Sequence, residues 1–221
     1  MKLFVTGTDT GVGKTFVCAA IARELVRQRQ SVFAWKPVET GCREVNGRLV
    51  GDDAETLAIA AGDWQTDVER GMYLFRNPVA PLVAATQEAR SIDVPRIVSM
   101  ALAATSEHVL VEGAGGIRVP LTVDVDMAGL ATACGFPVLI VARASLGTIN
   151  HSVLTVEAAQ RDGLRVVGVA LSRLPGVDLE SAETNRAEIE RICHVPVHIF
   201  DGRDSSGLLT FLGYSSHLLR V

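Results

Sequence analysis

The stretch Thr6-Gly7-Thr8-Asp9-Thr10-Gly11-Val12-Gly13-Lys14-Thr15 governs the fold of this chain. It joins the apolar run Leu3–Thr6, which has the form of a short buried strand, to a segment of helical periodicity over Lys14–Gln28. Glycines at such a junction let successive backbone N–H groups turn inward around a phosphate chain, and the helix start adds the positive end of its dipole. Lys14 then reaches the β- and γ-phosphates, and the Thr15 hydroxyl suits Mg2+. The spacing departs from the motif G-x-x-x-x-G-K-[ST]: counting back from Gly13, the first glycine position holds Thr8, and Gly7 stands one residue earlier. A glycine turn that merely links strand to helix explains neither Lys14-Thr15 nor the strand before it. A nucleoside triphosphate is therefore the expected ligand, held by Gly11, Val12, Gly13, Lys14, Thr15 and Phe16.

Outward from this loop, short apolar runs alternate with longer stretches of helical period, a βα rhythm without hairpin turns. The pattern predicts strands at Leu3–Thr6, Ser31–Trp35, Val109–Glu112, Val138–Val141, Val166–Leu171 and Val197–Phe200. Several are apolar at every position, as in parallel strands covered by helices on both faces. Predicted helices are Lys14–Gln28, Ala54–Ala61, Pro81–Ala89, Val94–Thr105, Met127–Cys134, Thr148–Asp162 and Ala182–Ile192. Asp93 and Asp126 read as N-caps, Pro95 as an early helix position, and Gly135 and Gly163 as stops. A capping helix is expected in the tail after Asp201, from Leu208, Leu209, Phe211, Leu212, Leu218 and Leu219, and a mobile loop over Gly41–Asp53. The fold class is α/β, a three-layer phosphate-loop domain with a mostly parallel sheet, and residues 1–221 are expected to form one domain.

Composition narrows the partners. Of 221 residues, 48% are hydrophobic and only 5% aromatic, which favours small-residue helices on a Val-rich sheet and excludes disorder. Twenty-one Lys and Arg against 25 Asp and Glu leave no general positive field, so nucleic acid is not an expected partner. The longest apolar runs fall short of a membrane span, and no leader pattern opens the sequence, so a cytoplasmic protein without membrane attachment is expected. Cys18, Cys42, Cys134 and Cys193 make no C-x-x-C pair and read as incidental thiols.

Two further segments open at the same sheet edge as the loop. Val109-Leu110-Val111 runs into Glu112-Gly113-Ala114-Gly115-Gly116, which offers an acid for Mg2+ and glycines that let the backbone approach the γ-phosphate. Lys36-Pro37-Val38-Glu39-Thr40-Gly41 sets a lysine on a rigid turn, either a second cation opposite Lys14 or a solvated surface residue. Asp52 and Asp53 precede a short helix, as metal ligands or as caps.

Taken together, Thr6–Thr15, Lys36–Gly41, Val111–Gly116 and Leu146-Gly147-Thr148-Ile149-Asn150-His151 resemble the dethiobiotin synthetase family. The four blocks span residues 6 to 151 in family order. The resemblance implies a phosphate-loop α/β fold, a homodimer, ATP as co-substrate, Mg2+, and ring closure on 7,8-diaminopelargonic acid with CO2 or bicarbonate. It implies Lys14 and Lys36 as catalytic residues facing a carbamate and the γ-phosphate, Thr15, Asp53 and Glu112 around Mg2+, and Gly113, Ala114 and Gly115 beside the nucleotide. Thr40 then hydrogen-bonds the acceptor, and Leu146, Gly147, Thr148, Ile149 and Asn150 receive the substrate carboxylate from a neighbouring subunit. One departure concerns the base. Where the family carries Asn-Asp, this chain has Ser172-Arg173, and a hydroxyl lacks the paired donor and acceptor with which an amide reads adenine. Two other readings stay open on sequence alone: another ligase of the same superfamily, and a nucleotide switch of the ParA/MinD type.

Overall fold

A computed structural model describes residues 1–173 and 176–214. Along the chain lie β1 (Lys2–Gly7), α1 (Lys14–Arg27), β2 (Val32–Trp35), β3 (Val38–Thr40), β4 (Arg43–Val45) and β5 (Arg48–Val50). There follow α2 (Asp52–Ala60), α3 (Asp67–Arg70), β6 (Tyr73–Phe75), α4 (Pro81–Gln87), α5 (Val94–Ala103), β7 (His108–Gly116) and α6 (Met127–Cys134). The last third carries β8 (Val138–Arg143), α7 (Thr148–Arg161), β9 (Val166–Ser172), α8 (Leu179–Cys193), β10 (Val197–Phe200) and α9 (Ser205–Phe211).

Six strands pair in parallel in the order β10-β9-β8-β1-β7-β2. The two-residue strand period divides the apolar side chains between two layers. Leu3 and Val5 of β1 pack with α1, α2 and α9, while Phe4 joins the opposite core, which includes Ile97, Leu130, Val156 and Ile189 of α5 to α8. Helices on both faces explain why these strands are apolar throughout. A parallel sheet also puts every strand's C-terminal end on one edge, where ligands bind in such folds.

The expected sheet strands and helices all occur, with shifted ends; Met127–Cys134 and Val197–Phe200 match to the residue. Asp93 and Asp126 cap their helices through Arg96 N and Gly129 N, and Gly135 takes the left-handed turn at φ 67°. Three expectations need correction. Gly41–Asp53 is not an open loop but a β4–β5 hairpin that runs into α2, so the chain does contain a hairpin; its strands are only three residues long, too short for a period to be read. The strand expected to end at Glu112 continues through the glycines to Gly116, where pairing with β1 alone, through Gly7 and past a register shift, carries it beyond the end of β2 despite poor intrinsic propensity. Asp52 and Asp53 do not cap a helix; they lie inside the first turn of α2 behind Gly51. β3 and β6, paired in parallel beside the main sheet, were not expected. In the tail, Leu208 and Leu209 of α9 are buried against α1, and the expected continuation over Leu218 and Leu219 lies outside the described residues. No described helix is long and apolar enough to cross a membrane.

Candidate active site

The loop between β1 and α1 begins where the sheet needs it, because β1 is flanked by β7 and β8. Gly11 and Gly13 hold φ of 69° and 97°, the left-handed conformations that side chains resist. At Gly13 a Cβ would also run into the Ser172 side chain, so the loop lies directly on the end of β9. Gly13 is the N-cap of α1 and brings no side-chain acceptor, which leaves the first-turn N–H groups available to an anion.

Register and alternation then bring the charged groups together. Trp35 of β2 pairs with Val111 of β7, so the next residues along, Lys36 and Glu112, lie side by side. Both share parity with Ala34 and Leu110, which face the α1 layer. There Lys36 Nζ donates to Glu112 Oε1 at 2.9 Å, and Thr15 Oγ1 donates to the same oxygen at 2.8 Å. Lys36 also donates to Asp53 Oδ2 from the first turn of α2. Glu112 is wholly buried, and its Oε2 has no hydrogen-bond partner.

The two lysines differ in state. Burial works against the charge of Lys36, yet the carboxylates of Glu112, Asp53 and Glu39 raise its pKa above the ordinary lysine value. Lys14, folded back so that Nζ donates to Asp9 O at 2.9 Å, is pushed down to about 8, first by burial and then by the Lys36 charge. Carboxylates of Glu112, Asp53 and Asp9 act on Lys14 only from a distance, and among the described residues none is within ion-pair reach of it, so an anion arriving there would favour its charged form. For Asp53 burial opposes ionisation, but Lys36 pulls its pKa below the usual carboxylate value.

These groups open into one cleft of about 510 Å3, lined by Thr10, Gly11, Gly13, Lys14, Thr15, Lys36, Glu39, Thr40, Asp53, Ala114 and Gly115 among others. Cavities of about 500 and 640 Å3 elsewhere bring together no such set of buried charges; chemistry rather than size distinguishes this one. The donor set fits a hard divalent cation. Thr15, Asp53 and Glu112 supply oxygen only, one oxygen of Glu112 is buried without a partner, and Mg2+ typically takes one or two carboxylates plus phosphate oxygens.

Other residues singled out in the sequence lie elsewhere. Phe16 packs on Phe200, with ring centroids 5.1 Å apart. Ser172 is buried under Gly13, and Arg173 is paired with Asp201 at 3.0 Å and donates to Val177 O at 3.1 Å. Gly113 is inside β7, against Phe4 and Met127. Leu146–Asn150 do not line the lysine cleft. Leu146, fully exposed, and Thr148 border a separate cavity of about 80 Å3 with Asp9, Arg143 and His151. Gly147, at φ 90°, opens α7 without a side-chain cap. Two residues in contact with these segments were not expected. Arg143 donates to Thr10 O at 3.2 Å, and the only sequence signal was its place at a strand's C-terminal end. Glu39 accepts from the backbone of α2; although it stood in a quoted block, nothing in the spacing tied it to residues beyond the hairpin.

Residues 1–198 match a family described as an AAA domain. The chain is 45% identical over 196 residues to an ATP-dependent dethiobiotin synthetase BioD of Anaeromyxobacter dehalogenans (strain 2CP-C), covering 87% of this chain and 85% of that one. Proteins of the same name from Anoxybacillus flavithermus and Bacillus licheniformis are 42% and 39% identical, each over 88% of this chain and over 88% and 82% of their own. Among solved structures, chloroplast FtsY of Physcomitrella patens superposes with a TM-score of 0.54 at 15% identity, over 96% of this chain. The chain spans 65% of that protein's length, and the likeness concerns the fold alone.

Proposed function

This chain belongs to the family of ATP-dependent dethiobiotin synthetases, and from that premise we propose how its own residues carry the reaction. It is a ligase of biotin biosynthesis that forms carbon–nitrogen bonds on 7,8-diaminopelargonic acid, with ATP as co-substrate. The carbon of the new ring comes from CO2. One amine of the substrate adds to CO2 and loses a proton, giving a carbamate. A carbamate oxygen attacks the γ-phosphorus and ADP leaves. The second amine then attacks the carbonyl carbon of the mixed anhydride, phosphate departs, and the ureido ring is closed.

Every species between the diamine and the product is anionic, so the residues work chiefly by position and charge. The loop amides from Gly11 to Thr15 and the open end of α1 hold the phosphates. Lys14 exchanges its contact with Asp9 O for the transferring phosphoryl group. Lys36, kept charged by its carboxylate neighbours, faces the carbamate, and Thr40 hydrogen-bonds the acceptor. Thr15, Asp53 and Glu112 would hold Mg2+, which when bound neutralises charge on the phosphate oxygens. The observation that carries these roles is the meeting of Lys14, Thr15, Lys36, Thr40 and Asp53 in one cleft at the end of β1, with Glu112 behind it.

The substrate carboxylate goes to Leu146–Asn150 of a second copy of the chain. In support, the N-cap of α7, Gly147, brings no side-chain acceptor to the first turn, and Leu146 beside it is wholly exposed. Each chain is one catalytic domain, and the homodimer works in the cytoplasm, where its phosphorylated co-substrate is available. Ser172, beneath Gly13, and Arg173, paired with Asp201, are assigned to the base side of the nucleotide next to the loop rather than to the lysine cleft. Mass-resolved analysis of the product from diaminopelargonate, bicarbonate, Mg2+ and each nucleoside triphosphate tests this reading. Product heavier than the diamine by one carbonyl less two hydrogens, with equimolar phosphate, is expected; phosphate release indifferent to the diamine and bicarbonate would overturn it.

A further inference from the structure

Glu39 is buried in the middle of β3, yet its carboxylate turns toward the protein's own backbone. Oε1 accepts from Asp53 N at 3.0 Å and Oε2 from Ala54 N at 2.9 Å. Both amides belong to the first turn of α2, whose N-cap, Gly51, brings no side-chain acceptor. The cap is therefore supplied from across the β4–β5 hairpin, 14 and 15 residues away in sequence. Two oxygens on two consecutive amides fix the rotation of the turn as well as its position, and that rotation aims Asp53 at Lys36.

Gly51 carries an independent sign of the same arrangement. Its φ of −89° and ψ of 122° are open to any residue, so the backbone does not require glycine. A Cβ there would instead strike Glu39, coming within 2.6 Å of its carboxylate carbon. The missing side chain makes room for this one contact.

We propose that Glu39 is a positioning residue of the ligase site, whose two-point cap on α2 sets the Asp53 carboxylate against Lys36. The inference rests on the roles given above to Asp53 and Lys36. Glutamine at 39 keeps one acceptor and turns an NH2 group against the second amide, so Glu39→Gln separates the cap from the volume of the side chain. In Glu39→Gln, kcat is expected to fall by about ten- to a hundredfold and the Mg2+ half-saturation to rise, while ADP binding without metal stays within about twofold. A purely structural Glu39 would lower the unfolding midpoint and leave kcat per folded site and the Mg2+ requirement unchanged. Gly51→Ala is expected to reproduce the loss in the wild-type background and to add nothing to Glu39→Ala. That pair decides the matter even if Glu39→Gln folds poorly. Full kcat in Gly51→Ala, or in folded Glu39→Gln while Asp53→Asn is impaired, overturns the role of Glu39 alone; full kcat in Asp53→Asn overturns the reading of the site and this inference with it.

Discussion

The ammonium of Lys36 lies 2.9 Å from the carboxylate of Glu112, on the neighbouring strand, with the lysine side chain 7% exposed and the carboxylate wholly buried. Taking both charges from water is costly, and in proteins such pairs are poor sources of net stability. This one is held in place by strand register, with Asp53 and Thr15 completing the set. An arrangement of that cost is understandable where charge must be neutralised at a fixed point during phosphoryl transfer.

Lys36 and Lys14 therefore fail differently when neutralised. Lys36→Gln is expected to lower kcat by orders of magnitude and leave nucleotide affinity nearly intact, because the role proposed for Lys36 is to face the acceptor. Lys14→Gln is expected to damage both, since the role proposed for Lys14 includes holding the phosphates. Steady-state kinetics with calorimetric nucleotide binding measures the two effects; equal losses in both parameters for both variants would reject the division of roles.

The lowered pKa of Lys14 gives a pH dependence with a definite sign. The native protein holds this proton to about pH 8 and the unfolded chain to 10.5. The unfolded state thus binds more protons across that window, and the Lys14 contribution makes unliganded stability rise as pH increases from about 8 to 10.5. A bound phosphate chain raises the Lys14 pKa, so nucleotide binding at about pH 8.5 takes up a fraction of a proton. Calorimetry in buffers of unequal ionisation enthalpy is expected to show that uptake in the wild type and not in Lys14→Gln.

Leu146 is wholly exposed beside the uncapped start of α7. If a second copy covers it, Leu146→Asp places a charge in the interface and breaks the composite acceptor site. Sedimentation velocity is expected to show a smaller species, with a raised KM for the diamine and nucleotide binding preserved. A wild type that sediments as a monomer at full activity would reject the shared site.

Much of this was legible in the sequence because the signals are local. The loop from Gly7 to Thr15 carries its own geometry in its glycines, and the βα rhythm, the caps Asp93 and Asp126 and the stop at Gly135 depend on near neighbours. The β4–β5 hairpin escaped because strands of three residues are too short to show a readable period, and the glycines after Glu112 read as a turn although pairing with β1 carries them in the sheet as far as Gly116. Glu39 and Arg143 escaped because their partners, Asp53, Ala54 and Thr10, are distant in the chain.

By itself the sequence determined the class of fold, the phosphate loop, the family and the residue types from which a site is made. Which of those residues meet was decided only in three dimensions. β7 enters between β1 and β2, and its register sets Glu112 beside Lys36 and under Thr15; the turn of α2 under Glu39 brings Asp53 to the same lysine. The physical reason is that an ion pair buried at 2.9 Å depends on strand order, register and side-chain parity at once. Each is set by packing of the whole sheet between its two helical layers, and none is written in the neighbours of Lys36 or Glu112.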